Sequence, residues 1–390
     1  MAVTETTTVS WGSRLGSAFK GILLGLALFI LAFPLLFWNE GRTVKTMRAL
    51  DEGEGACVPL ESVATVDAEM EGKLVHAIGK AETKDVLTDD QFGLSVNAIR
   101  LERTVEMFQW VEESNTTTKK NMGGSETKTT TYTYKKDWNR NVIDSSTFKE
   151  PGHDNPAAMD FTSGKLKADN VTLGAYHLNE EQIGRIGRAE DHLFPTNFVC
   201  PIARVQIAGK TIYVPNAETR NNPLNMRDVA TQPRIGDLRV TFRKVLPHNV
   251  SIVAKQRGDG FVAYTAKNGK KISMLSDGER DAAEMFASAQ SGNTMMCWIV
   301  RLLGFFLMYL GLSMVFRPLS VLADVLPILG TIVGMGTGFV ASVIALVCTL
   351  VTVAVAWIFY RPVLAVALLV AAGVGLWFLV QRKPKAAPAN

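Results

Sequence analysis

The 390-residue sequence contains few of the residues on which most enzyme and metal centres depend. It has four cysteines and five histidines, and none of them fall in a C-x-x-C, H-E-x-x-H or similar metal-ligand spacing. Walker A, G-x-G-x-x-G and G-x-S-x-G motifs are also missing. We therefore expect a protein that is not an enzyme and that has no cofactor or metal ion.

Charge is missing from several long stretches of the chain. Residues 21–38 and 325–360 contain no charged side chain, residues 297–316 contain only Arg301, and another uncharged run follows Arg361. A helix needs about 20 apolar residues to cross the hydrocarbon core of a bilayer. The sequence therefore predicts an integral membrane protein and excludes a freely soluble enzyme.

The positions of these runs predict an α+β membrane protein with a large, mainly-β soluble domain, residues 39–293, inserted between the first and second of four transmembrane helices. The predicted helices cover residues 21–38, 294–316, 337–360 and 362–380. Residues 325–360 would form a helix about 54 Å long at 1.5 Å per residue, which is too long for one straight span. Residues 322–336, interrupted by Pro327 and several glycines, are therefore predicted to form a re-entrant or interfacial segment.

Basic residues next to the spans predict the orientation. The positive-inside rule assigns the N-terminal residues 1–20 and the basic tail 381–390 to the cytoplasm, which places residues 39–293 on the non-cytoplasmic side. Three basic residues after the first span argue against this orientation: Arg42, Lys45 and Arg48.

The soluble domain is nearly neutral, because the net charge of +4 arises at the membrane ends of the chain. Nucleic acid is therefore not expected as a partner. Short alternating stretches predict strands, Glu113–Lys136 is predicted to be a polar hairpin tip, and Asn179 with Gln182 predicts a capped helix.

The cysteines divide into two pairs. Cys297 and Cys348 lie in apolar runs, where a thiol most often acts as a small hydrophobic group. Cys57 and Cys200 lie in the soluble domain, and two readings stay open for them. They form a disulfide if that domain faces an oxidising compartment, or they remain two unpaired buried thiols.

Five residues near membrane depth are candidate functional positions. Arg301 and Asp324 are ionisable, which makes them functional candidates by default, although Arg301 can snorkel and Asp324 lies near an interface. Gly330 and Gly334 form a G-x-x-x-G pair that serves helix packing or lines a permeation path. Arg361 lies in the turn between the last two predicted spans.

The string H-D-N-P at 153–156, with Asp144 and Asp160 nearby, allows two interpretations. It could form a divalent-cation or acid–base site. A turn stabilised by Asx hydrogen bonds and by proline explains the same residues.

Several strings, taken in their order along the chain, resemble the transmembrane protein 43 (LUMA) family. They are W-N-E-G-R at 38–42, V-E-M-F-Q-W at 105–110, I-D-S-S at 143–146, G-H-D-N-P at 152–156, G-D-L-R-V at 236–240, F-R-P-L at 316–319, L-P-I-L at 326–329 and A-W-I-F-Y-R-P at 356–362. The motif residues that we single out are Asn39, Glu40, Gly41, Arg42, Glu106, Trp110, Asp144, His153, Asn155 and Pro156.

The resemblance implies a four-span protein with a large lumenal loop that acts as a membrane scaffold through self-association and membrane-protein partners. Animal members resemble organisers of the endoplasmic reticulum and inner nuclear membrane that contact lamins and emerin. A bacterial member would lie in the inner membrane and would lack those partners. The alternative function is a cation channel or channel subunit, a role also proposed for the family.

Overall fold

The computed structural model describes residues 3–222 and 227–362, together with residues 370 and 374. The chain divides into two compact units. The sheet unit comprises Met1–Thr6, Glu52–Thr117 and Thr129–Ala287, and the helix unit comprises Thr7–Asp51, Thr118–Lys128 and Ser288–Asn390. The fold is α+β with a large sheet-rich domain, as the sequence predicts.

Strands dominate the sheet unit, and long helices dominate the helix unit. The strands are, in chain order, β1 (Val3–Val9), β2 (Val58–Pro59), β3 (Leu74–Thr83), β4 (Val86–Asp89), β5 (Leu94–Asn97), β6 (Arg100–Lys120), β7 (Glu126–Asn139), β8 (Gly164–Lys167), β9 (Val171–Leu173), β10 (Tyr176–His177), β11 (Glu190–Asp191), β12 (Gln206–Ala208), β13 (Thr211–Val214), β14 (Leu238–Val245), β15 (His248–Arg257), β16 (Gly260–Val262), β17 (Tyr264–Thr265), β18 (Lys271–Ile272) and β19 (Met274–Asp277). The helices are α1 (Trp11–Ala56), α2 (Glu180–Arg185), α3 (Ala217–Asn221), α4 (Ala282–Ala323) and α5 (Pro327–Tyr360).

The larger sheet has the strand order β1-β7-β6-β14-β13-β12, with β11 paired to β14 and β8 paired to β6. β6 and β14 are antiparallel, from Leu238 opposite Met107 to Val245 opposite Arg100. Alternate residues of both strands are buried, because successive side chains of a strand point to opposite faces. The inward residues build the core of the unit together with aromatic rings such as Phe92 and Phe242.

The second sheet closes on itself. β15 pairs with β3 and with β16, β16 pairs with β10, β10 pairs with β9, and β9 returns to β3. Such a ring leaves fewer unpaired strand edges than an open sheet. Tyr176 and Phe261 stack inside the core, with ring centroids 4.9 Å apart.

The N-terminal strand β1 is an edge strand of the larger sheet, beside β7. Glu5 accepts a hydrogen bond of 3.0 Å from the Tyr132 hydroxyl and pairs with Lys149 at 3.1 Å. These contacts attach the N-terminal strand to the sheet unit.

The short helix α2 has the predicted start. Asn179 accepts a hydrogen bond from the Gln182 backbone N–H at 3.0 Å, and the Gln182 side chain accepts one from the Asn179 N–H at 3.1 Å. This reciprocal pair is a capping box and satisfies two of the free donors at a helix start.

Among the described residues, three helices, α1, α4 and α5, are long and apolar enough to cross a membrane. Many of their large apolar side chains are exposed, which is the expected surface for helices whose surroundings are lipid. α1 is longer than its predicted span 21–38, because polar residues on both sides of the apolar run continue the helix. α4 contains the predicted span 294–316 and extends to Ala323.

The predicted division of the next region is wrong. Residues 327–360 form one continuous helix, α5, instead of a broken segment at 322–336 followed by a separate span at 337–360. Pro327 occupies the first turn, where proline is favoured, and the glycines lie within the helix. The predicted fourth span, 362–380, and the tail, 381–390, lie outside the described residues except for positions 362, 370 and 374.

Candidate functional site: two ionic clusters of the helix unit

Three helical side chains meet around the carboxylate of Glu40, which has no exposed surface. Arg301 donates to it through two nitrogens, Nε to Oε1 at 2.6 Å and Nη2 to Oε2 at 2.8 Å. Trp357 Nε1 donates to Oε2 at 2.9 Å, and Cys297 Sγ lies 3.7 Å from Oε1. The two-point contact of a guanidinium with a carboxylate fixes the orientation of both groups.

We call this site the helix junction and define it as Asn39, Glu40, Cys297, Arg301 and Trp357. It joins α1, α4 and α5, because one partner of Glu40 comes from α4 and another from α5. Asn39 adds a contact to α4, since its Nδ2 donates to the Cys297 carbonyl at 3.1 Å.

The residues that follow Glu40 extend this contact between the helices. A side chain at Gly41 would overlap the Tyr360 ring, so glycine permits the close approach of α1 and α5. Arg42 Nη2 donates to Asn39 Oδ1 at 3.3 Å, and Arg48 Nη2 donates to the Tyr360 carbonyl at 3.1 Å.

Two indole rings enclose the Arg301 guanidinium. Its central carbon lies 4.7 Å from the Trp298 ring centroid and 5.7 Å from the Trp357 ring centroid. Both distances allow a cation–π attraction. Arg301 therefore does not snorkel alone to an interface, because a carboxylate and two rings hold it.

The second site, the tip cluster, consists of Arg14, Lys120, Glu126 and Asp324. Asp324 is buried and accepts a hydrogen bond from Arg14 Nη2 at 2.5 Å and from Lys120 Nζ at 2.7 Å. Arg14 also pairs with Glu126 at 2.7 Å and donates to the Gly124 carbonyl. The tip of the β6–β7 hairpin is therefore bound to the start of α1 and to the turn after α4, and is not a free polar loop.

The turn between α4 and α5 is built around Asp324. Burial raises the pKa of this carboxyl group, but the hydrogen bonds and charges of Lys120 and Arg14 outweigh burial and leave the pKa below its usual value. A side chain at Gly330 would collide with the Asp324 carboxylate, whereas one at Gly334 would meet Ser320 at 3.3 Å. Both glycines therefore serve packing in this structure.

Other predicted residues lie in the sheet unit, where they bond to the backbone or pair across strands. Asn155 Oδ1 accepts from the Trp110 N–H at 2.7 Å, and its Nδ2 donates to the Trp110 carbonyl at 2.9 Å. Asp144 accepts from the Ser146 N–H at 2.9 Å, and Glu106 pairs with Arg239 at 2.5 Å across β6 and β14.

The H-D-N-P string at 153–156 lies outside helices and strands and packs against aromatic rings. The His153 ring stacks on Tyr134 with centroids 4.0 Å apart and meets Trp110 edge-on at 4.5 Å. Pro156 packs beside Gly236, so a side chain at position 236 would contact the proline ring. The φ of +89° at Gly236 also favours glycine. Among the residues that the structure describes, no group of three or more His, Cys, Asp or Glu side chains could hold a metal ion.

The remaining predicted positions have simpler roles. Cys57 and Cys200 are both free thiols, and burial raises the pKa of Cys57 to about 11. Arg361 ends α5, with its N–H donating to the Trp357 carbonyl at 2.8 Å.

Sequence reasoning missed the partners of the two clusters. Arg301 and Asp324 were singled out as isolated charges, but Lys120 and Glu126 come from a hairpin that is distant in sequence. Glu40 and Trp357 could be found from the sequence, since each lies in a family motif at the end of an apolar run.

Comparison with known proteins gives one consistent result. A family model described as Transmembrane protein 43 matches residues 107–362. The chain is 34% identical over 377 residues to Transmembrane protein 43 of Rattus norvegicus, covering 93% of this chain and 90% of the relative. It is 34% identical over 365 residues to the Homo sapiens protein, covering 90% and 87%. It is 28% identical over 367 residues to the Drosophila melanogaster homolog, covering 91% and 93%. No solved structure matches.

Proposed function

The chain belongs to the transmembrane protein 43 family, and we propose that this integral membrane protein is a non-enzymatic scaffold that organises the membrane by self-association and by binding protein partners. The observation that carries the proposal is the pairing of Glu40 with Arg301. The two opposite charges neutralise each other where α1, α4 and α5 meet. The ion pair therefore holds these helices together.

A conducting path would need polar groups or carbonyl oxygens that face water along the pore. The described ionic side chains of the two clusters instead bond to one another. Asp324, the residue on which a cation pathway would depend most, is occupied by Arg14 and Lys120. This arrangement favours the scaffold over the channel.

The exposed face of α5 is the surface that we propose for self-association. Phe339, Val343 and Val347 are exposed along one side of α5, at the spacing of residues that share a helix face. Helices in lipid associate through close packing of such faces.

The proposal keeps the sheet unit on the non-cytoplasmic side, supported by the basic residues Arg317, Arg382, Lys383 and Lys385. The membrane would be the inner membrane in a bacterium, and the endoplasmic reticulum or inner nuclear membrane in a eukaryotic cell. Impermeant maleimide should label a cysteine at Thr129 from the non-cytoplasmic side, while a reporter at Ala387 stays cytoplasmic.

The functional test is the mass of the detergent-solubilised full chain, combined with cross-linking in its native membrane and identification of co-purified proteins. The scaffold predicts a stable homo-oligomer or a recurrent protein partner. Selective single-channel currents in planar bilayers that Asp324→Ala abolishes would overturn the proposal.

A further inference from the structure

A groove of about 430 Å³ lies between α4 and α5 in the helix unit. Six of its lining residues carry the argument: Trp298, Arg301, Phe305, Leu346, Leu350 and Trp357. All of them belong to candidate membrane-spanning helices, so the groove opens to lipid.

The length of the groove matches one leaflet of a bilayer. Seven residues separate Trp298 from Phe305 on α4, and eleven separate Leu346 from Trp357 on α5. At 1.5 Å per residue these spacings are about 10 and 16 Å. Half of a hydrocarbon core about 30 Å thick is about 15 Å.

The chemistry of the groove differs between its two ends. Arg301 lies at one end between Trp298 and Trp357, and tryptophan is typical of the membrane–water interface. Glu40 uses Nε and Nη2 of Arg301, whereas Nη1 has no hydrogen-bond partner among the described residues. Phe305, Leu346 and Leu350 make the other end apolar.

We propose that this groove binds one glycerophospholipid. One acyl chain lies along Phe305, Leu346 and Leu350, and the phosphate accepts hydrogen bonds from Arg301 Nη1. An amphipathic ligand fits because the two ends of the groove differ in polarity. The guanidinium donates strong hydrogen bonds to phosphate oxygens, and the apolar residues match a hydrocarbon chain. An apolar helix face of a second copy would leave Arg301 Nη1 without an acceptor.

Native mass spectrometry of the full chain in mild detergent tests the proposal, with phosphatidylglycerol carrying two 16- or 18-carbon chains as the probe. We expect one phospholipid per chain to be retained after delipidation. Leu350→Trp fills the groove and should weaken binding about tenfold or more, equivalent to 1.4 kcal/mol per factor of ten. Val351→Trp is the matched control, because Val351 is 55% exposed and does not line the groove.

A second arm uses diacylglycerol with the same chains, which lacks the phosphate. It should bind about tenfold more weakly, and equal binding would overturn the assigned contact with Arg301. Equal retention of phospholipid by Leu350→Trp and Val351→Trp would overturn the site. The site would also be overturned if Leu350→Trp changed the oligomeric mass of the protein but left the number of bound lipids unchanged. That result would show that a second copy of the chain occupies the groove.

Discussion

The helix junction and the tip cluster both pair buried carboxylates with basic side chains, yet their partners come from different kinds of structure. Glu40, Arg301 and Trp357 all belong to long apolar helices. Lys120 and Glu126 belong to a polar hairpin and keep 31% and 18% of their side-chain surface exposed. Water therefore reaches the hairpin side of the tip cluster, although Asp324 itself, at 1% exposed, is as enclosed as Glu40.

This difference determines what each cluster contributes to stability. Removing one partner of a fully buried ion pair leaves an uncompensated charge and costs about 3–5 kcal/mol. Pairs that water reaches contribute at most about 1 kcal/mol and are screened by salt. We therefore assign helix association mainly to the junction, and the docking of the hairpin tip to the cluster around Asp324.

The largest effect is expected for Glu40→Gln. The neutral amide leaves Arg301 buried without its counter-charge, so the apparent free energy of unfolding should fall by about 3–5 kcal/mol. The measurement is the midpoint of detergent-induced unfolding, followed by tryptophan fluorescence.

The control for this variant is Glu82→Gln, which removes the exposed pair of Lys80 and Glu82. It should leave the midpoint nearly unchanged. If Glu82→Gln lowered the unfolding midpoint as much as Glu40→Gln, the claim that enclosed ion pairs contribute more stability than exposed pairs would be wrong.

Gly330→Ala is expected to have the next largest effect. The new methyl group would collide with the Asp324 carboxylate, so the turn between α4 and α5 must shift, at about 1–3 kcal/mol. Gly336→Ala is the matched control, because no atom lies within 4 Å of a side chain there. Alanine favours helix over glycine by up to about 1 kcal/mol, so this control should be neutral or stabilising.

Lys120→Ala should have a smaller effect than Glu40→Gln, because Asp324 keeps Arg14 as a partner. We expect a loss of about 1 kcal/mol that shrinks in high salt. Lys119→Ala, the exposed neighbour, serves as the control in the same salt series. A salt-independent loss as large as that of Glu40→Gln would show that the two clusters are equivalent.

The last prediction concerns the pH dependence of the tip cluster. The pKa of Asp324 is lowered in the folded protein, so its contribution is present above the unfolded value of about 3.9 and is lost as pH falls through the folded value. The unfolding midpoints of the wild type and Asp324→Asn should therefore differ near neutral pH and converge in acid. A constant difference at all pH values would contradict the assigned ion pairs.

Local patterns explain which parts of this fold are predictable. The capping box of α2 and the apolar helices follow from neighbouring residues, and the sequence predicts both. The sequence does not predict the unbroken helix α5, because glycines near Pro327 are typical of helix breaks. In the structure the side chains of Asp324 and Ser320 lie beside Gly330 and Gly334.

Contacts that are distant in sequence explain the rest. Arg301 was predicted as a functional position, but its partner Glu40 lies 261 residues away. The pairing of β1 with β7 and the contact of Lys120 with Asp324 also join segments that are far apart in the sequence. Sequence patterns identify such residues without their partners.

The most direct test of the central claim, that the buried charges of the junction hold helices together, is a double-mutant cycle with Glu40→Leu, Arg301→Leu and the double variant. Replacing a whole buried pair by apolar residues is often neutral, whereas single replacements cost about 3–5 kcal/mol. We predict that the double variant regains most of the unfolding midpoint lost by each single variant and keeps the oligomeric mass of the wild type. A double variant as unstable as the sum of both single variants, or one that is stable but has lost its assembly, would contradict the account.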